Sequence, residues 1–392
     1  MKVYILTSEP FPIGLAATNR ILHYCKGLVA DGVDCEVAVI YRTERCVGVN
    51  TCAQGEFNGI KFSYIPGTTR RSNSFLRRRI DDMFDTIKSL IFLQKEVKHG
   101  DIVLTYIGNK WVVYTGLIQV LCHHKGVRVI RELCELPYAT ANDNLWNRFR
   151  RWCYEKITMP RFNGFIPISE ELALYVQRVA KDIPYLKVPI LVDINQYVNV
   201  VAHQHPRPYI FHAGTMTERK DAIVSTMMAF AKASKSLNYS IDFILAGPKS
   251  PHYKELQAII EDGNIQDNIH FIGEITHKEV LSYQKGAALS VLNKNDNPQN
   301  RCGFSTKLGD VLLAGVPVIT TTVGEANFFL KDQESAYICE PHDIDALVVK
   351  MEEAFADNTK RNQIGAEGKK IAETYFDCRM QGVRLHDFFR SL

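Results

Sequence analysis

Four short stretches of the chain carry residue types that chemistry uses. The first is GFSTKLGDVLLAGVPV, Gly303–Val318, in which glycine and serine precede an apolar run holding a single acid, Asp310. Free backbone N–H groups at a helix start bind anions, which makes Gly303, Phe304 and Ser305 candidates for a phosphate-facing helix mouth. Asp310, about two turns along, can accept hydrogen bonds from the two adjacent hydroxyls of a ribose. Alternatively it pairs with Lys307, three residues earlier on the helix surface. In the second stretch, HAGTMTERK, Gly214 and Thr215 precede Lys220, whose compact charge suits a diphosphate; alternatively Arg219 and Lys220 are a solvated pair on a turn. The third, SEPFPIGLAATN, places Pro12 and Gly14 before a helix, as a phosphate loop or an ordinary turn, and lacks the Gly-x-Gly-x-x-Gly fingerprint of dinucleotide binders. The fourth, RELCELPY, offers Glu132 and Glu135 just past a strand, where a carboxylate can bind hydroxyls or take a proton. Glu135, further past the strand, is the better candidate; alternatively it pairs with local arginines.

The elements that must position these residues alternate. Strands are expected at Lys2–Thr7, Asp34–Tyr41, Ile102–Tyr106, Val127–Arg131 and Gly164–Ile168, with a helix over Ala16–Ala30. A second series follows at Tyr209–His212, Ile241–Ala246, Ile269–Phe271, Ala288–Leu292 and Val316–Thr321. INQYVNVVAHQHPRP, between the series, has no period and reads as a linker. The architecture is therefore α/β with two Rossmann-like domains, residues 1–198 and 199–375. Helix 376–392 is expected to return to the first domain. Ligands of such folds bind at the carboxyl ends of the strands, so the cleft between the domains is the expected site.

Composition narrows the class. With 392 residues, 46% of them hydrophobic and 23% charged, the chain has the size for two cores. Ten scattered cysteines without a Cys-x-x-Cys pair suit reduced thiols in a cytoplasm. MKVYILTSEPF is too short for a signal-peptide core and reads as a strand, and Trp111–Cys122 is too short to span a membrane. A formal charge of +4 does not call for nucleic acid, but arginines crowd 70–79 and 148–161. They are interleaved with Phe75, Leu76, Ile80, Trp146, Phe149, Trp152 and Tyr154, the mixture an anionic membrane surface would meet. The histidines His123, His124, His203, His205 and His212 match no metal-ligand spacing and read as surface or linker residues.

Taken together and in order, the Gly14 loop, KVPILVD ending at Asp193, Gly214 to Lys220, and GFSTKLGDVLLAGVPVI resemble the retaining nucleotide-sugar glycosyltransferases of family four. The resemblance spans nearly the whole chain. It implies the GT-B fold, two Rossmann-like domains facing each other, with the donor on the second and the acceptor on the first. It implies donor binding by Gly14, Gly214, Thr215, Lys220, Gly303, Phe304, Ser305 and Asp310, with Lys220 as a catalytic residue; Glu135, read from its place past a strand in a stretch that lacks the histidine often found there in the family, is the other catalytic candidate. The expected partners are a nucleoside-diphosphate sugar, a glycan or lipid-linked glycan acceptor and an anionic membrane face, with no nucleic acid, cofactor or metal. Bacterial cell-surface polysaccharide or glycolipid synthesis, in the cytoplasm or on the inner membrane face, is the expected setting. Two departures stand out: Cys302 occupies the place of the first of the family's two glutamates, and Thr215 that of a common arginine. A nucleotide-sugar epimerase of the same fold, or a catalytically silent sugar-nucleotide-binding subunit, is the alternative.

Overall fold

The computed structural model describes residues 1–45, 48–108, 112–138 and 144–392, and divides them into two compact units. The first comprises Met1–Leu191 and Cys378–Leu392, the second Val192–Asp377.

In the first unit, seven strands form one sheet: β1 (Lys2–Thr7), β2 (Asp34–Val39), β3 (Gln54–Phe57), β4 (Ile60–Tyr64), β5 (Ile102–Tyr106), β6 (Arg128–Leu133) and β7 (Gly164–Pro167). Their order is β3-β4-β2-β1-β5-β6-β7. All neighbours are parallel except β3 and β4. That hairpin turns through Asn58 and Gly59, both at positive φ (52° and 79°), the backbone an Asn-Gly turn requires. β1 is buried at every residue from Val3 to Thr7, as a central parallel strand covered on both faces must be. Helix Cys378–Ser391 lies on helix Ala16–Ala30 at backbone contact: a Cβ on Gly27 would fall 2.0 Å from the Cys378 carbonyl oxygen, and one on Gly382 would fall 2.2 Å from the Gly27 carbonyl carbon. His386 Nδ1 meets Asp31 Oδ2 at 2.6 Å beside this crossing.

The second unit has six parallel strands: β8 (Tyr209–Ala213), β9 (Asp242–Ala246), β10 (Ile269–Gly273), β11 (Leu289–Leu292), β12 (Val318–Thr321) and β13 (Tyr337–Cys339). Their order is β10-β9-β8-β11-β12-β13. The stretch read as a linker is packed structure within this unit. His203 stacks on Tyr283 at 3.9 Å between ring centroids, and its N–H donates to the Ser282 carbonyl at 3.0 Å. Lys285 Nζ donates to the Val200 carbonyl at 2.8 Å. Two prolines and no period hid a segment that is held by helix His277–Gly286 rather than by its own secondary structure.

Candidate active site

Both sheets change direction at one point. In the second unit the chain runs outward from β8 to β9 and β10, then returns to place β11 on the other side of β8, leaving a crevice at the carboxyl ends of β8 and β11. His212 sits in the last turn of the pleat of β8, and Lys294 follows β11 by two residues. Gly214, φ +154°, leaves β8 so tightly that a Cβ there would lie 2.3 Å from the Lys307 ammonium nitrogen. Glycine is needed here for close approach.

Four charged or titratable side chains meet in this crevice. Lys307 Nζ lies 2.7 Å from Asp221 Oδ1 and 3.5 Å from His212 Nε2, and Lys294 Nζ lies 3.7 Å from the same Asp221 oxygen. Lys294 also donates to the Lys220 carbonyl at 2.6 Å. Burial alone would raise the Asp221 carboxyl, but Lys307, His212 and Lys294 outweigh it and hold the group below the usual carboxylate range. Burial, and then Lys307, keeps His212 neutral. Burial pushes the Lys294 ammonium down to about 8 despite the pull of Asp221, and Lys220 adds to the depression. Lys220 itself lies on the short helix Glu218–Asp221, exposed, and its ammonium makes no ion pair with a described residue. Two ammonium groups thus share one carboxylate, with the Lys220 charge acting on Lys294 beside them, an excess of positive charge that suits an anion.

Thr217 caps this short helix, its hydroxyl accepting from the Lys220 N–H at 3.4 Å. Glu218 Oε2 accepts from the Val224 N–H at 2.8 Å, and the amides of Asn297 and Asn300 each donate to the Arg219 carbonyl at 3.1 Å. The lysine-bearing turn is therefore tied to the helix Pro298–Cys302 on the far side of the crevice.

The Gly303 segment differs from the expectation of one helix starting near Phe304. Pro298–Cys302 is a separate helix, Gly303 and Ser305 are extended, and the next helix is Thr306–Leu313 with Ser305 as its N-cap. No side chain caps it, and its first turn holds no acid. Asp310 is consequently little more than one turn in, not two. The Phe304 ring is buried, stacked on Phe329 and edge-on to Phe376, each at 5.6 Å, so at this site it contributes backbone alone. Thr215 is exposed.

Asp310 does not pair with Lys307, whose ammonium is taken by Asp221. Its Oδ1 accepts from Gln196 Nε2 at 2.9 Å, and Tyr197 donates to its carbonyl at 3.1 Å. Burial raises the carboxyl above its ordinary value, with the Gln196 amide and His277 pulling it back.

In the first unit the switch in strand order falls between β1 and β5, and the Gly14 loop follows β1. A Cβ on Gly14 would lie 2.1 Å from the Thr18 hydroxyl oxygen, and Leu15 caps helix Ala16–Ala30 without a side-chain bond. Glu135 is exposed beyond β6, near Glu9 from the β1 loop; burial first, and then Glu135, raise the Glu9 carboxyl. Glu132 is not a surface group at all. Its Oε1 is 2.8 Å from Arg20 Nε in a pair whose side chains are each 2% exposed.

Sequence reading passed over Lys294, Asp221 and His212. The signal for Lys294 was present, since it stands two residues past an expected strand in a fold that binds ligands there. His212 is buried, against its reading as a surface histidine. Of the others, His205 joins Asp242 and His270 in a group whose ligand atoms lie within 4.8 Å of one another, the one such set of cation-ligand types among the described residues. Asp242 is already held by Arg207 at 2.9 Å and Asn268 at 3.2 Å, and it lies at the amino end of β9, the opposite sheet edge from the lysines.

The two-unit architecture is that of the GT-B fold. Sucrose-phosphate synthase of Thermosynechococcus elongatus superposes with a TM-score of 0.73 at 16% identity, covering 100% of this chain and 99% of that one. Anabaena HepE in complex with UDP superposes at 0.70 with 14% identity, covering 100% of both. Residues 193–371 match the family model described as Glycosyl transferases group 1. That match lies wholly within the second unit, Val192–Asp377, which is therefore the part of the chain similar to a group 1 glycosyltransferase domain. A curated relative, the 2-deoxystreptamine N-acetyl-D-glucosaminyltransferase of Niallia circulans, is 28% identical over 123 residues, which are 31% of this chain and 30% of that relative's length.

Proposed function

We propose that the protein transfers a sugar from a nucleoside diphosphate to an acceptor hydroxyl with retention of configuration. The observation that carries this is the meeting of Lys294 and Lys307 on Asp221 at the strand-order switch of the second sheet, with the turn that bears Lys220 held against Lys294. In the reaction the bond between the anomeric carbon and the diphosphate oxygen breaks, and negative charge grows on the leaving group. Fixed ammonium groups and the N–H groups of helix Thr306–Leu313 stabilise that charge without a cation. Glu135 is assigned to receive the acceptor proton, and the Gly14 loop to approach the donor phosphates. HepE was captured with UDP, and the Niallia relative is named for an N-acetyl-D-glucosaminyl transfer, which favours a UDP-linked donor; the acceptor is assigned as a glycan or lipid-linked glycan of bacterial surface polysaccharide or glycolipid synthesis. A thermal-shift panel of nucleoside diphosphates, followed by product analysis with and without acceptor, tests the reading. Sugar isomerisation without acceptor would make the protein an epimerase; donor binding without any turnover would make it a silent subunit.

Two outcomes follow for the donor site. A bound diphosphate favours the protonated form of Lys294, whose free ammonium titrates at about 8. Above that pH binding must take up a proton, so the affinity for UDP should fall by about tenfold per pH unit. Calorimetry from pH 7 upward checks this: Lys294→Met should bind more weakly and lose the slope, and a flat profile in the parent would remove Lys294 from the site.

Asp310 is assigned to the donor ribose. One of its carboxylate oxygens serves Gln196, and Oδ2 has no donor among the described residues, leaving it for a hydroxyl. Asp310→Ala should weaken donor binding by ~1.5–3 kcal/mol, the range for hydrogen bonds to a charged group. Turnover at saturating donor should change far less. A 2′-deoxy donor should carry little further penalty in the variant. If that penalty is equally large in both proteins, the carboxylate serves Gln196 alone.

A further inference from the structure

Two helices of the first unit show solvent the face that a globular protein hides. Helix Phe75–Glu96 buries Asp85, Ser89 and Leu93. Its three aspartates face the body of the unit, Asp81 and Asp85 on Arg42 at 2.7 and 3.1 Å and Asp82 on Arg71 at 3.4 Å, and its one glutamate, Glu96, is its last residue. Turned outward are Leu76, Ile80, Met83, Phe84, Ile87 and Ile91, each 47–73% exposed. At the pitch of an α-helix these six fall in an arc of about 100°, with Arg77 on one side and Arg79 on the other.

Helix Leu145–Cys153 repeats the pattern. It buries no residue and carries no acid. Leu145, Trp146, Phe149 and Trp152 are 53–83% exposed and share an arc of about 120°, flanked by Arg148 and Arg150. The rings of Trp146, Phe149 and Trp152 stand in a row, with centroids 6.0 and 6.3 Å apart. Helix Val112–His124 joins the two, packing on Phe75–Glu96 and on the turn Tyr154–Thr158, and it exposes Val113, Leu117 and Val120. Tyr154 is not part of this face; its ring is buried, edge-on to Tyr138.

We propose that these helix faces dock the first unit on an anionic lipid bilayer. An apolar stripe of this length exposed to water costs free energy, and arginines along both borders match acidic headgroups while the stripe enters the acyl boundary. Tryptophan at that depth satisfies its ring and its N–H together. A second copy of the chain fits the face poorly, because neither stripe offers an acid to meet the partner's arginines.

Flotation with vesicles decides. The protein should bind vesicles containing about 30% phosphatidylglycerol at least ~10-fold more tightly than pure phosphatidylcholine, and salt near 0.5 M should remove the preference. In a Trp111→Phe background the emission of Trp146 and Trp152 should shift to shorter wavelength on binding and be quenched by brominated lipid. Phe149→Glu and Ile80→Glu should each cut binding by about tenfold while circular dichroism and UDP binding are kept. Equal binding to neutral and anionic vesicles would overturn the proposal, as would no binding to either. Concentration-dependent self-association in lipid-free buffer, abolished by Phe149→Glu, would assign the face to a second copy instead.

Discussion

Lys220→Ala should turn over a nucleotide-sugar donor about 10²–10³-fold more slowly than the parent protein, a loss of ~3–4 kcal/mol of transition-state stabilisation typical for a charge-stabilising donor. The residue is exposed on a four-residue helix, and its side chain makes no ion pair with a described residue. The backbone does the structural work, since the Lys220 carbonyl accepts from Lys294 and its N–H donates to the Thr217 hydroxyl, and alanine keeps both. Thermal stability should therefore barely move. UDP affinity should fall less than turnover, because Lys294 and Lys307 still face the ground-state diphosphate, while charge on the leaving oxygen is greatest at the transition state. Single-turnover measurements at saturating donor check the split. Normal turnover in the variant would show that Lys294 and Lys307 suffice and that Lys220 is a solvated surface lysine.

Glu132→Ala should destabilise the first unit by ~3–5 kcal/mol, the cost of breaking a buried ion pair from one side. Arg20 would stay in the interior with its charge uncompensated. It holds three parts of the unit at once, with Nε on Glu132 at 2.8 Å, Nη1 on the Pro189 carbonyl at 2.7 Å and Nη2 on the Val188 carbonyl at 2.9 Å. The Tyr24 hydroxyl and the Cys134 thiol lean on the same Glu132 oxygen, at 3.4 and 2.8 Å, and would lose their acceptor. Urea unfolding followed by a first-unit probe checks the figure. Arg20→Met combined with Glu132→Leu should recover much of the loss, because an apolar pair of similar volume leaves no buried charge. A loss below about 1 kcal/mol for Glu132→Ala would mean that water reaches the pair.

The contrast between Glu132 and Glu135 shows what sequence could and could not reveal. Both follow the strand expected at Val127–Arg131, three positions apart, and local pattern could not say which one Arg20, more than a hundred residues earlier, would neutralise. Lys307 and Asp310 fail in the same way: their helical spacing is right for a surface pair, yet Asp221 arrives from the short helix Glu218–Asp221 and outcompetes Asp310. Hydrophobic periodicity, which is local, was legible, and the two series of buried strands follow from it. β3, β4 and β13 were missed because they are short and lie at or next to sheet edges, although the Asn58-Gly59 turn announced the first two. The tight exit from β8 at Gly214 was readable because glycine there answers to backbone approach, which is set by nearby chain. Lys294 could be placed just past its strand from local pattern, but its meeting with His212 and Asp221 needed the order of the strands, which no local pattern encodes.

The contact of Gly27 with Gly382 bears on how the chain is built during synthesis. The sheet of the first unit is complete in sequence by Pro167, but the helix that lies on Ala16–Ala30 is translated only after the whole second unit. The second unit is in effect an insertion within the first. It can close its own sheet while its host still lacks one cover, with Ile21, Tyr24 and Leu28 waiting for Leu385 and Phe389 to join their core. Because the seam is backbone against backbone, without side chains that could adapt, the late helix has one register in which to arrive. The nascent first unit therefore carries an apolar opening through the time needed to translate its neighbour, and it is then that chaperones have most to bind.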